Sequence, residues 1–323
     1  MNRKTTWPAK LLLFGEYSIL LGSQALSMPF SAFGAGFRFP GPDRPGFPEA
    51  TESNRHLGEL SDYLFASRDY FGAFIDLERF AADISNGIYL DSTIPQRYGM
   101  GSSGAVCAAV CGRYGPEPLL YADDLQGLSQ LRERFVRMES FYHGKSSGFD
   151  PLVIYLQRPV WLDHRLEFVP VVLNNLESAE NLHILLADSG VPCSTGPKVG
   201  QFLEQFFPGG KVTEPGERLI SLVNSCIDNL LHGKAGDFGH AASLLSRFQW
   251  ETLRHLIPLR LHPPWLEGLE SGMFSLKLCG SGGGGFLVCF TTDKEGTEAC
   301  FRNAGIPLIP LVPPGMAGFK GIG

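Results

Sequence analysis

Lys10, the pair Ser102-Ser103, Glu139 and Asp150 are the polar residues whose settings could carry chemistry. The two serines follow Gly99 and Gly101 in QRYGMGSSGAVCAAV, residues 96–110, where a glycine-serine loop runs straight into small apolar residues of helical character. A helix that starts there presents unsatisfied N–H groups and the positive end of its dipole, which together suit a phosphate. A plain serine cap on a buried helix is the other reading of the same residues. Walker A is excluded, because no G-K-[ST] follows the glycines.

Glu139 belongs to a long amphipathic stretch, Asp123 to His143, predicted as one helix closed by Gly144. Leu128, Leu131, Phe135, Met138 and Tyr142 share a face of it, and Glu139 falls roughly 50° from the centre of that face. A carboxylate there needs a partner or a cation: Arg132, or a Mg²⁺ that also meets phosphate oxygens. Beyond the helix, HGKSSGFDP carries Asp150 ahead of Pro151, which predicts an extended Asp150 outside any helix. A turn-forming role is its alternative. Lys10 enters an apolar run, AKLLLF, where a lone ammonium is costly. A Lys–Asp pair beside a phosphate cradle suits phosphoryl transfer: Asp takes or orients a hydroxyl while Lys and Mg²⁺ offset charge on the transferred group.

A second glycine cluster stands in KLCGSGGGGFLVCF. Gly280, Gly282 and Gly285 satisfy G-x-G-x-x-G, but the residues that follow read as a strand, and no acidic residue stands about twenty positions on. That argues against a dinucleotide fold. Close approach to a ligand or to another loop explains the glycines better than a simple turn.

The elements that must position these residues are mixed. Residues 10–21 read as two short apolar strands meeting at Gly15-Glu16, residues 34–55 as surface loop, and residues 56–85 as helical. GIYLDSTIP and the run 159–173 are strand-like. Then come a strand at NLHILLAD, helices at 197–207, 216–232 and 236–256, and strands at 274–278 and 286–291. Strands and helices without regular alternation predict an α+β fold. The 323-residue length favours two domains, placed at 1–165 and 166–323. A composition of 44% hydrophobic and 19% charged residues is that of an ordinary globular protein, and the net charge of −6 leaves no broad cationic surface. Nucleic acid and membrane are therefore excluded as expected partners, leaving a small-molecule substrate. Gly15 and Glu16 interrupt the N-terminal apolar runs, so neither a signal peptide nor a membrane span is expected. Seven cysteines without a CxxC pair predict reduced thiols and a cytoplasmic protein. The oligomeric state is left between monomer and homodimer.

Taken together, PAKLLLFGEYSILLG, PQRYGMGSSGAV and KLCGSGGGGF resemble the three motifs of the GHMP kinases, in the family's order. The resemblance implies a two-domain α+β fold: an N-terminal ATP-binding domain with a left-handed βαβ unit, and a ferredoxin-like C-terminal domain. It also implies ATP and Mg²⁺. Within the superfamily, ESFYHGKSSGFDP and ADSGVPCST resemble segments of mevalonate kinases. That implies phosphorylation of mevalonate, with phosphomevalonate or a sugar as alternative acceptors, and a non-catalytic ATP-binding sensor as the alternative class. By the resemblance Asp150 would be the base with Lys10 beside it, and Glu139 and Ser103 would hold the metal. Gly99, Gly101, Ser102, Ser103 and Gly104 would hold ATP phosphates, and Gly280, Gly282, Gly283 and Gly284 would form the third motif's loop. Glu16, Tyr17, His143, Ser147, Ser194 and Thr195 would face the acceptor; a helix cap is the other reading of Ser194 and Thr195. Tyr17 stands where many mevalonate kinases carry His, Arg97 and Tyr98 replace smaller residues, and Gly104 replaces a common alanine.

Overall fold

The computed structural model describes residues 6–41, 47–116, 125–173, 182–193, 196–280 and 282–311. The chain divides into two compact units, one drawn from Met1–Lys10, Pro29–Pro95 and Gly101–Arg158, the other from Leu11–Met28, Gln96–Met100 and Pro159–Gly323. Strands β1 (Trp7–Phe14) and β2 (Ala25–Arg38) each run from one unit into the other.

The first unit adds α1 (Pro48–Ala66), α2 (Arg68–Phe71), α3 (Leu77–Ser85), β3 (Tyr89–Ser92), α4 (Ser102–Tyr114), α5 (Leu125–His143) and α6 (Phe149–Leu156). The far end of β2 pairs antiparallel with β3, from Ala35 opposite Ser92 to Arg38 opposite Tyr89. Helix α4 packs against α5 and α6. Its small residues make this possible: Ala105, Cys107, Ala108, Ala109 and Val110 are fully buried, as are Phe135 and Met138 of α5 and Leu152, Val153 and Ile154 of α6. A helix without bulky side chains lets its neighbours approach closely, and this fixes the ends of α5 and α6 around the start of α4.

The second unit holds β4 (Val160–Leu162), β5 (Phe168–Pro170), β6 (His183–Asp188), α7 (Gly196–Phe206), α8 (Glu214–Leu231), α9 (Ala235–Leu253), α10 (His262–Ser271), β7 (Phe274–Leu278), β8 (Phe286–Thr291), α11 (Lys294–Asn303) and β9 (Leu308–Pro310). Here β4 pairs with Ala25–Ser27 of β2 and with β5. The other strands form a sheet in the order β7-β8-β6-β9, all antiparallel. Strand, helices, two strands, helix, strand along the chain, with that strand order in the sheet, is the ferredoxin-like arrangement expected. Helix α9 covers β7 and β8. Phe14 stacks on Phe290 at 5.6 Å, and Phe238 meets both rings edge-on.

Three local expectations are corrected. Residues 34–38 are strand and 48–55 are helix, not loop. Gly34 and Gly36 hid a strand whose pairing with β3 supplies what local propensity lacks, and Pro48 occupies the first helical turn, where a missing N–H costs nothing. The second apolar run after Gly15 is a 3₁₀ turn, Ser18–Leu21, rather than a strand, ended by left-handed Gly22. Asp150 lies inside α6, not in an extended segment. The bias of a pre-proline residue yields there because Pro151 falls in the first turn, where its absent N–H has no carbonyl to meet.

Candidate active site

In the first unit the chemistry-bearing side chains gather at the start of α4. Gly101, with φ of +76°, caps that helix, and no side chain caps it. Ser102 and Ser103 therefore stand inside the first turn, and the serine-cap reading gives way to one in which the leading N–H groups are left for a ligand. Gly101 is required twice over. Its backbone is left-handed, and a Cβ would stand 2.8 Å from Cγ of Lys10.

Lys10, almost buried in β1, places Nζ 3.0 Å from Oδ1 of Asp150; the side chains are 7% and 32% exposed. Asp150 sits in the first turn of α6, where the helix dipole favours negative charge. Gly104 decides how close the two helices come. A Cβ there would lie 2.9 Å from the Pro151 nitrogen and 3.2 Å from Cβ of Asp150. An alanine does not fit without moving Asp150.

Glu139 is buried on α5, as its place near the apolar face predicts. Its carboxylate accepts hydrogen bonds from Ser103 Oγ at 2.9 Å and from Ser146 Oγ. Burial and the neighbouring Asp150 charge push this carboxyl up to about 7, against the opposing pull of Ser146, Ser103 and Lys10. Arg132 donates Nε to the Ser147 carbonyl instead. His143 closes α5 with Nε2 3.1 Å from Ser103 Oγ. The Ser147 hydroxyl accepts the Phe149 amide and so shapes the turn into α6.

Among the described residues no three or more His, Cys, Asp or Glu side chains gather as a metal cage. The donors present are oxygens, a buried carboxylate with a hydroxyl beside it. This is the set Mg²⁺ uses when phosphates and water complete its shell. The residues fit that ion, and a divalent charge would also relieve the crowding of Glu139 by Asp150.

The second unit holds the other predicted residues. Gly280, Gly282, Gly283 and Gly285 all have positive φ, and β8 follows them, as the reading against a dinucleotide fold expects. The amides of Gly283 and Gly285 donate to the carbonyls of Leu256 and Val191, and Lys198 Nζ donates to Gly282 O at 2.6 Å. A Cβ on Gly284 would lie 2.4 Å from the Val191 carbonyl oxygen, and one on Gly99 3.9 Å from Cα of Gly280. The glycines thus serve close approach to other loops. Tyr98, unexplained in the sequence, packs on Phe286 at 5.1 Å, and burial and the nearby Asp188 charge raise its hydroxyl, while the Arg97 carbonyl accepts the Cys193 amide at 2.9 Å. Tyr17 stacks on Phe202 at 4.8 Å, and burial, Cys193 and Glu16 raise its hydroxyl to about 12. Glu16 is buried with Lys277 and Gln249. Ser194 and Thr195 lie outside the described residues.

Sequence reasoning missed Ser146, Lys198 and the Lys277–Gln249 pair. Ser146 had one usable signal, a serine two residues before Gly148, whose amide it also accepts at 2.9 Å. The others depend on contacts far apart in the chain.

Residues 68–158 match the family model described as the GHMP kinases N terminal domain. A mevalonate kinase of Thermococcus gammatolerans is 26% identical over 333 residues, covering 94% of this chain and 93% of the relative. Among solved structures, L. major mevalonate kinase in complex with R-mevalonate superposes with a TM-score of 0.62 at 17% identity, covering 98% of each chain. Lactococcus lactis galactokinase, complexed with galactose, gives a TM-score of 0.62 at 14% identity, covering 96% of this chain and 93% of its own. Residues 68–158 thus match the GHMP kinase N-terminal domain model, and the chain as a whole has the fold that the solved mevalonate kinase and galactokinase structures share.

Proposed function

We propose that the chain is an ATP- and Mg²⁺-dependent kinase that phosphorylates the primary hydroxyl of mevalonate. The observation that carries the kinase reading is the Lys10–Asp150 pair beside the uncapped start of α4, with Glu139 on Ser103. The acceptor rests on full-length similarity to relatives named mevalonate kinase.

In this reading Asp150 accepts the proton of the acceptor hydroxyl as its oxygen attacks the γ-phosphorus of ATP. The bond to the β–γ bridging oxygen breaks, and ADP leaves. Lys10 orients Asp150 and faces the charge on the transferred group. The N–H groups of Ser102, Ser103 and Gly104 hold phosphate oxygens at the helix start. Ser103 and Glu139 would hold Mg²⁺, which when bound offsets phosphate charge and orients the leaving group. Tyr17 and His143 are assigned to acceptor recognition. The Glu16 carboxylate, buried on its own partners, is not. The Ser147 hydroxyl accepts the Phe149 amide and keeps its own proton to donate to an acceptor.

The test is a coupled ADP-release assay on mevalonate, phosphomevalonate and galactose, with Asp150→Asn beside the native chain. Mevalonate should be turned over, and Asp150→Asn should lower kcat by about 10²–10⁴-fold. Turnover of galactose or phosphomevalonate alone would replace the acceptor. An Asp150→Asn rate within a few-fold of native would remove Asp150 as base. Binding of ATP without turnover of any acceptor would favour the sensor.

A further inference from the structure

One buried charged group in the second unit has no part in this chemistry. Glu16 and Lys277 face each other at 2.9 Å, each 2% exposed. Gln249, on α9, donates Nε2 to Glu16 Oε1 at 2.9 Å and accepts the Leu278 amide on Oε1 at 2.8 Å. Lys277 Nζ also donates to the Leu278 carbonyl and lies 5.2 Å from the centre of the Phe14 ring. The three side chains thus clamp the last residues of β7, where the chain enters the loop Gly280–Gly285.

On its other side Glu16 borders a strained turn. Tyr17 has φ of 60° and ψ of −46°, and the Ser18 amide donates to the Glu16 carbonyl at 2.6 Å. This is the γ-turn of positive φ, rare for any residue and costly for one with a bulky side chain. Such strain persists only where the surroundings over-determine it. Beyond the turn Ser18 is held by Ser23, whose hydroxyl donates to Ser18 Oγ at 2.7 Å. Before it stands Glu16.

Stability alone does not ask for this design. Burying an ion pair is expensive, and a well-packed apolar pair of similar volume is commonly as stable or more so. What the arrangement provides is directional through one oxygen: Oε1 accepts the Gln249 amide, whose own oxygen holds the Leu278 amide. Oε2 makes a charge contact with Lys277 and, among the described residues, no hydrogen bond, so residue 16 is tied to Leu278 through Gln249.

We propose that Glu16 is a positioning residue, whose carboxylate, held by Lys277 and Gln249, keeps the Tyr17 turn in its strained form and in register with the base of the glycine loop. Its kinetic consequence rests on the kinase reading above, through the role of Tyr17 in acceptor recognition. Its conformational consequence does not.

The test compares Glu16→Gln, the doubly neutral Glu16→Gln/Lys277→Met and Gln249→Leu in the full chain. Readouts are Tm, the KM for ATP, the KM for mevalonate, and the backbone chemical shifts of Tyr17 in tyrosine-labelled protein. The double variant should keep a Tm near native, because no charge is left unpaired. Its Tyr17 shifts should move toward those of negative φ. Its KM for mevalonate should rise about tenfold while the KM for ATP stays within about twofold. A purely structural pair predicts the reverse: once Tm is restored, the Tyr17 signal and both KM values return to native, and either a native Tyr17 signal or a native mevalonate KM in the double variant overturns the proposal. If the neutralised forms do not fold, Gln249→Leu decides, since it keeps both charges but cuts the link to Leu278; a native Tyr17 signal there overturns the proposal as well. If the native chain turns over no acceptor, the kinase reading fails, and the Tyr17 shifts still decide this one.

Discussion

Glu139 shows how much a single position can disclose. Its angular distance from the apolar face of α5 says that it is buried, and burial of a carboxylate demands a donor or a cation. The structure supplies Ser103 and Ser146, yet Asp150 still crowds it. Hydroxyl donors alone leave two carboxylates sharing one ammonium. Glu139→Gln removes one negative charge and keeps the shape. It should bind nucleotide but lose the Mg²⁺-dependent part of the rate, lowering turnover by about 10²-fold or more; a Mg²⁺ titration of ADP release, beside nucleotide binding, checks this. A native Mg²⁺ response would take Glu139 out of the metal site. Lys10 was equally legible, because an ammonium within an apolar strand advertises a missing partner. Asp150 was legible as a site residue but not in its conformation, since the rule for residues before proline weakens in a first helical turn. The partners of Glu16, Gln249 and Lys277, were not legible, because they are remote in sequence and nothing local marks them.

At the scale of elements, the contact of α4 with α6 sets the geometry of the pair Lys10–Asp150. Gly104, which replaces a common alanine, is the point where the two helices touch. Gly104→Ala should push Asp150 from its place opposite Lys10, lowering kcat by about tenfold or more with little change in the KM for ATP. A loss of about 1–3 kcal/mol of stability should accompany it, readable by urea denaturation. An unchanged kcat would mean that the helices adjust without cost. Helices α5, α7, α8 and α9 and strands β6, β7 and β8 were legible because their periodicity is strong. The far end of β2 was not, because glycine in a strand carries no hydrophobic pattern and only pairing with β3 reveals it. Helices α6, α10 and α11 also escaped sequence reading. Two of them open on proline-containing turns that resemble loops, and α11 is too polar to show a face.

Across the molecule, none of the seven cysteines is joined in a disulfide. Burial pushes Cys111 and Cys226 up to about 12, and raises Cys107 and Cys289 as well. Only Cys193 and Cys300 are partly exposed. Iodoacetamide at about pH 8 should therefore modify no more than those two in the folded chain and all seven after denaturation, counted by intact mass. Rapid labelling of Cys107 or Cys289 in the folded chain would contradict the packing of α4 or β8. Among the described residues no helix is long and apolar enough to cross a membrane. Fold was readable at this scale because three motifs in order span the chain. The acceptor was not, since the same fold carries both mevalonate kinase and galactokinase with equal TM-scores.

The passage of β1 and β2 from one unit into the other makes the chain indivisible by a single cut. Severed between Arg158 and Pro159, the C-terminal piece would lose Ala25–Ser27, the strand partner of β4, and would keep Lys277 without its counter-charge. A bare strand edge and an orphaned ammonium inside an apolar core are both grounds for aggregation rather than folding. Split-protein designs based on it would have to carry residues 11–28 and the 96–100 segment with the second half.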